Sequence, residues 1–285
     1  MTGQVIIGCG YAGERLARRL GGQPLAFTGS DAGARRLRAA GVEARVWNLD
    51  QQPVGTVDVT GAIVFYLAPP PEAGEGDPRL ARCLATLRGR PRKFVYVSTT
   101  GVYGDAGGGT VSEDTPPAPT TPRGARRLAA EQAVQAWCAR LGAPWVILRV
   151  PGIYGPGRLP LERIRRGDPS IEEAEAGPGN RIHVDDLVSV LRAAGDSLLA
   201  VNRVYNVGDG EHASSTAYFR TVARLAGLPE PPELPREQVR AQVSPAMWSF
   251  LADSRRVDTT RMREELGVAL RYPDLESGVR ASLAG

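Results

Sequence analysis

The stretch 4-QVIIGCGYAGERLARRLG-21 decides the fold. Residues 4–8 are an apolar run of the length of a buried strand. Leu16, Ala17 and Leu20 then recur at helical spacing, and Gly21 with Gly22 can end that helix. Between the two patterns lies Gly8-Cys9-Gly10-Tyr11-Ala12-Gly13, a G-x-G-x-x-G turn. Its first glycine permits a tight turn. The second lets the backbone approach a pyrophosphate, and the third lets helix and strand pack closely. The free amides and dipole at the helix start then favour phosphate. A glycine turn that follows a strand and opens a helix specifies a dinucleotide cradle. The competing reading is a glycine-rich turn with no ligand.

Outward from this turn, strand and helix signals alternate. Further strands are expected at 24–28, 43–47, 61–68, 93–98 and 144–150, with helices at 31–41, about 78–90 and 122–141. Apolar strands alternating with helices imply a parallel sheet covered on both faces. The expected class is α/β, a Rossmann-type doubly wound parallel sheet with a smaller C-terminal substrate lobe. The helix at 122–141 has well-marked ends: Thr121 to cap it, Pro122 at its first position and Gly142 to close it. Leu128, Val134, Trp137, Cys138 and Leu141 form its apolar stripe, and Arg123 and Arg127, four apart, share a face. After Val150 the pattern changes. Residues 151–180 are rich in Gly, Pro and charge, a helix near 185–194 leads to a strand-like 203–208, and 214–285 is helical in patches. The expected division is a dinucleotide-binding domain over 1–150, to which 181–208 returns, and a second lobe from 151–180 and 209–285.

Composition excludes several classes. A chain of 285 residues can bury a core without disulfides, and 42% hydrophobic with 23% charged residues is ordinary for a folded protein. The longest apolar run, 61-GAIVFYLAPP-70, is too short to cross a bilayer, and residues 1–8 contain no basic leader. No membrane partner and a cytoplasmic location are expected. The net charge of +4 is dispersed among acids, with no basic stretch interleaved with aromatics, so no nucleic-acid partner is expected. Lys93 is the only lysine; the rest of the 35 basic residues are arginine. Cys9, Cys83 and Cys138 lie far apart, and with His183 and His212 they offer no metal-ligand spacing. No metal is expected, and the thiols should be reduced.

The second strand ends Thr28-Gly29-Ser30-Asp31, where an NAD site carries an acid for the ribose 2′-hydroxyl. Asp31 falls just beyond the strand. Small Gly29 and Ser30, with Arg35 and Arg36 on the next helix, suit a 2′-phosphate. NADP is therefore expected slightly ahead of NAD. The other reading of Arg35 and Arg36 is a solvated helix face.

Further segments, 98-STTGVYG-104, 149-RVPGIYGPGR-158, 181-RIHVDDL-187 and 205-YNVGDG-210, join the glycine turn in a pattern that covers nearly the whole chain. The stretches 254-SRRVDTTRMREELG-267 and 272-YPDLESG-278 extend it. Together they resemble the extended short-chain dehydrogenase/reductases, the NAD-dependent epimerase/dehydratase family. The short glycine spacing and 65-FYLAPP-70 are most similar to an atypical bacterial subgroup of the YeeZ type. The resemblance implies that Gly8, Gly10, Tyr11 and Gly13, with Ala12 between them, contact the pyrophosphate. It implies that Asn48 and Leu49 stand beside the adenine, and that Leu67, Ala68 and Pro69 line the nicotinamide-side ribose and phosphate. Pro151 and Gly152 would flank the nicotinamide, and Thr99 falls on the catalytic Ser/Thr beside Ser98. It also implies a homodimer built from paired helices.

One departure stands out. The family carries Tyr-x-x-x-Lys at the start of the helix at 122–141, where this chain has Arg123 and Arg127. That tyrosine must exchange a proton near neutral pH, helped by the neighbouring cation. Arginine stays protonated, so Arg123 cannot replace it, although Arg127 has the donors to bind ribose hydroxyls. Thr99 is a candidate for polarising a carbonyl, and Tyr103 and Tyr154, in loops over the site, are candidates for a displaced acid. Their other readings are a backbone-satisfied hydroxyl and packing anchors. His183 is expected to be structural with Asp185 and Asp186, Cys9 to be a small core residue, and Glu113 and Asp114 to be solvated. Two functions follow. One is an NAD(P)-dependent oxidoreductase or epimerase with an altered acid/base, acting on a small polar substrate. The other is a non-catalytic dinucleotide-binding sensor or partner protein.

Overall fold

Short runs of branched and aromatic residues build the centre of the molecule. In the computed structural model, which describes residues 3–51 and 55–285, seven parallel strands form one sheet. They are β1 (Gln4–Ile7), β2 (Leu25–Thr28), β3 (Glu43–Val46), β4 (Ile63–Tyr66), β5 (Lys93–Thr99), β6 (Trp145–Val150) and β7 (Arg203–Asn206). Their order is β7-β6-β5-β4-β1-β2-β3. The chain thus winds outward from β1 to β3, then returns to place β4 on the other side of β1. In register, Val5 lies beside both Leu25 and Val64, Tyr66 beside Tyr96, and Thr99 beside Val150.

Alternation along the strands feeds two cores. Ile6, Ile63, Phe65, Val95 and Leu148 face α1 (Tyr11–Arg19), α2 (Asp31–Ala39) and the later α5 (Val184–Asp196). Val5, Ile7, Val64, Tyr66, Phe94 and Ile147 face α3 (Pro78–Thr86) and α4 (Pro122–Leu141). Both faces are covered, which is why these strands read as nearly unbroken apolar runs. Lys93, buried at the start of β5, donates from Nζ to the carbonyls of Ala194 (3.0 Å) and Ser197 (2.5 Å) at the end of α5. The single lysine is therefore a helix C-terminal clamp.

The ends of α4 follow the sequence: Thr121 Oγ1 accepts from the Gly124 amide (3.1 Å), and Gly142 closes the helix at φ 61°. Its buried face differs. Leu141 is exposed, while Arg126, Arg127 and Glu131 are buried with Val134, Trp137 and Cys138. The cause lies across the sheet. Arg149, a charge inside the apolar β6, reaches Glu131 with Nη2–Oε2 2.8 Å and Nε–Oε1 3.2 Å. The two residues are 5% and 2% exposed, so each compensates a charge that water cannot reach.

The second lobe has its own core of Tyr154, Ile171, Phe219, Val222, Leu275 and Val279. It is built on α6 (Ser215–Leu225), α7 (Pro245–Leu251) and the C-terminal Leu275–Ala284 helix, with short parallel pairs such as 152–154 with 181–183. Between these, the helix Thr260–Leu266 packs back on the sheet core through Met262 and Leu266. No helix among the described residues is long and apolar enough to cross a membrane.

Breaking a buried pair strands its partner's charge, at about 3–5 kcal/mol. Glu131→Ala should lower stability by that amount in urea unfolding. Adding Arg149→Met should recover most of the loss; no recovery would show that the pair is not the source.

Candidate functional site

The glycine turn sits where the strand order reverses, between β1 and β4. Gly8 has φ +79°, and a Cβ there would overlap the Ala68 backbone that follows β4. The Gly8 and Cys9 amides donate to Phe27 O (3.1 and 2.8 Å), fixing the turn to β2. A Cβ on Gly13 would press on Cys9 Sγ (3.3 Å) and Ile6 Cγ2 (3.4 Å), so that glycine serves helix–strand contact. Gly10 is the opposite case: a Cβ there would meet nothing within 4 Å. It is the N-cap of α1, and no side chain caps that helix. Open space over an uncapped helix start fits a pyrophosphate, with the amides and dipole supplying the attraction. Cys9 is wholly buried, and burial pushes its thiol up to about 12, so it is inert packing.

The Tyr11 side chain leaves the cradle. Its hydroxyl donates to Pro156 O (2.9 Å), and its ring lies between the guanidiniums of Arg15 (4.2 Å) and Arg158 (4.3 Å). Tyr11 thus joins the lobes, and only its backbone and that of Ala12 remain beside the cradle. At the end of β2, Ser30 Oγ accepts from the Gly33 amide (3.2 Å) as the cap of α2. Arg36 pairs with Glu14 (2.9 Å), whereas Arg35 is exposed with no partner among the described residues. Leu49 packs into the core, and Asn48 Oδ1 accepts from the Asp50 amide (3.0 Å). Leu67, Ala68 and Pro69 follow β4; Ala68 is buried and Pro69 exposed.

Beyond the C-terminal ends of β5 and β6 opens a cleft of about 310 Å³ between the lobes. Thr99, Thr100 and Gly101 form one end with Arg123 and Gly124 of α4. Pro151 and Gly152 line it, with Arg158 and the 177–181 segment opposite and Phe250, Asp253 and Arg255 closing the side. Thr99 Oγ1 accepts from the Gly101 amide (3.2 Å), which leaves its proton available to donate.

Four expected site residues turn away. Tyr103 is 4% exposed, its hydroxyl donates to Asn206 Oδ1 (2.7 Å), and Arg149 lies over its ring at 4.8 Å. Tyr154 is 2% exposed in the second-lobe core, against Gly278, with an unpartnered hydroxyl. Burial raises both phenols above their ordinary value, and neither is among the residues that line the cleft. Ser98 donates to Glu131 Oε1 (2.5 Å) inside the core. Arg127 is buried with Nη1 on Tyr96 Oη (3.1 Å) and Val97 O (2.9 Å), bracing α4 to β5 rather than facing a ribose. Glu113 is not solvated either: it is half-buried and accepts from the Asn206 amide (2.8 Å). His183 is structural, its Nδ1 accepting from the Asp185 amide while Asp186 accepts the amides of Arg271 (2.7 Å) and Tyr272 (2.9 Å).

Sequence reading missed Glu131, Arg158, Phe250 and Arg255. For Glu131 a signal existed: Arg149 inside an apolar strand needs a buried anion. Phe250 and Arg255 come to the cleft from a distant, weakly patterned segment.

Residues 75–208 match the model of the NAD dependent epimerase/dehydratase family. Protein YeeZ of Escherichia coli strain K12 is 29% identical over 286 residues, covering 94% of this chain and 96% of YeeZ. A functionally unknown conserved protein from Silicibacter pomeroyi superimposes with a TM-score of 0.82 at 33% identity over 99% of both chains. UDP-glucuronic acid 4-epimerase from Bacillus cereus, solved in complex with NAD, gives 0.74 at 18% identity over 98% of this chain and 97% of its own.

The two tyrosines should part in a stability assay. Tyr154→Phe removes a hydroxyl with no partner and should be neutral or stabilising. Tyr103→Phe strands Asn206 and should lose about 1–3 kcal/mol.

Proposed function

Because the chain belongs to the NAD-dependent epimerase/dehydratase family, we propose that it is a dinucleotide-binding member in which ligand binding has outlived the usual proton relay. The observation that carries this is Gly10. Of the three cradle glycines, it alone has open space where a side chain would stand, over an uncapped helix start. The Gly8–Gly13 backbone would hold the pyrophosphate, and Pro151 and Gly152 would flank the nicotinamide. When bound, the cofactor supplies hydride exchange at its nicotinamide ring.

The preferred cofactor in this reading is NADP. β2 ends at Thr28 without a carboxylate, and Arg35 of α2 is exposed without an acid of its own among the described residues. Arg36 already pairs with Glu14, which leaves Arg35 the freer of the two.

The cleft favours binding over acid–base turnover. No tyrosine lines it among the described residues, and the arginine at the family's tyrosine position cannot cycle a proton near neutral pH. Its one carboxylate, Asp253, is held by Arg255 Nη2 at 2.6 Å. The reading as a sensor or partner protein follows. The Thr99 hydroxyl in the cleft supports a second reading, an oxidoreductase that polarises a carbonyl through Thr99 and takes its proton from solvent.

Calorimetric titration tests the proposal. NADPH should bind more tightly than NADH, Gly10→Val should abolish binding without unfolding the chain, and Arg35→Ala should cut the NADPH preference about tenfold. Binding of neither cofactor would overturn it. Cofactor-dependent turnover of a carbonyl panel that is lost in Thr99→Val would instead select the oxidoreductase.

A further inference from the structure

Four guanidiniums and one carboxylate line the cleft, but they are not equivalent. Arg255 is neutralised by Asp253 and donates from Nε to Gly104 O (2.7 Å). Arg181, in the wall, is buried and donates to Ala213 O (2.5 Å) and Ser214 O (3.1 Å), which turns its Nη atoms into the protein. Arg123 and Arg158 remain. Neither has a carboxylate within 4.0 Å among the described residues.

Arg158 is nonetheless held in place. Its guanidinium rests on the Tyr11 ring, and the Tyr11 hydroxyl is tied to Pro156 O two residues away. Arg123 is placed against every local electrostatic preference. It lies in the first turn of α4, where the helix dipole disfavours a cation, and that turn contains no acid. Desolvation, then Arg127 and Arg126, push its pKa down, although the residue remains exposed in the cleft. Arg126 has turned to the carbonyls of Glu72 (2.8 Å) and Gly74 (3.2 Å), and Arg127 to β5, but Arg123 has no such outlet among the described residues.

We propose that the cleft binds a small oxyanion-bearing molecule, a carboxylate or a phosphate ester, with its anionic group on Arg123. The planar fork of arginine matches both oxyanions, and the free proton of Thr99 and the small Gly101 and Gly124 stand at the same end of the cleft. The site rests on the dinucleotide reading only for its orientation, which puts the oxyanion where the family places its reacting hydroxyl. The residue that removes the proton relay thereby changes what is recognised at that end.

The test is calorimetric titration of the full chain at low ionic strength with malonate and with inorganic phosphate, both cofactor-free and saturated with NADPH. The parent should bind at least one probe, and the tighter one identifies the carboxylate or phosphate source. Arg123→Gln should weaken that probe about tenfold or more, and Arg123→Lys by less, since charge is kept but the fork is lost. Arg140→Gln, the same charge change at the far end of α4, should alter it less than about twofold. Unchanged affinity in Arg123→Gln, equal weakening by Arg140→Gln, or no binding of either probe would overturn the proposal. Anion binding without NADPH binding would overturn the cofactor reading and leave this one standing. NADPH binding without anion binding would do the reverse.

Discussion

The contact between Gly8 and the Ala68 backbone is the constraint on which the site depends. β1 and β4 are neighbours in the sheet though more than fifty residues separate them in sequence, and only a residue without Cβ lets the segments after them pass so closely. That approach turns the chain sharply into α1 and leaves Gly10 over empty space. The rest of the parallel sheet then delivers Thr28, Thr99 and Val150 to the same edge. A site at this edge is a consequence of topology before any side chain is considered.

The arginines of α4 have effects well beyond their own positions. Arg126 and Arg127 are both drawn inward, where their Nη atoms donate to carbonyl oxygens, and the same helix buries Glu131 one turn later. Glu131 then binds Arg149 and takes up the Ser98 hydroxyl. Arg149 in turn lies over Tyr103, whose hydroxyl meets Asn206. This continuous polar chain beneath the cleft removes Ser98 and Tyr103 from it. A desolvated ion pair holds its neighbours by the penalty for moving away from it. With Ser98 and Tyr103 withdrawn, the polar lining of the cleft comes from Thr99 and its neighbouring hydroxyls, Asn180, Asp253 and the guanidiniums.

Much of the frame was legible because it rests on periodicity. The seven sheet strands and the ends of α4 follow from apolar runs, from Thr121 and Pro122, and from a Gly142 that adopts the left-handed conformation. The site was legible only as backbone. Gly8, Gly10 and Gly13 carry their roles in their lack of a side chain, so position alone identifies them. Side-chain roles depend on which way a residue turns at a strand end. Ser98 and Thr99 are adjacent and chemically alike, yet the pleat sends one to Glu131 and the other to the cleft. Tyr103 and Tyr154 read as loop residues over the site because sequence does not reveal that each loop folds its ring into a core.

The same logic explains why the arginines are the informative residues of the cleft. A buried charge must find a partner, and Arg126, Arg127, Arg149, Arg181 and Arg255 all have one within the chain. A charge at the surface is under no such pressure, which is why Arg35 alone proves little. Arg123 is exposed too, but it lines the cleft. It is near enough to two other cations and the positive end of a helix to feel both, and far enough from any acid to remain unanswered. A guanidinium exposed in the cleft with no carboxylate beside it among the described residues is one that a ligand is free to answer.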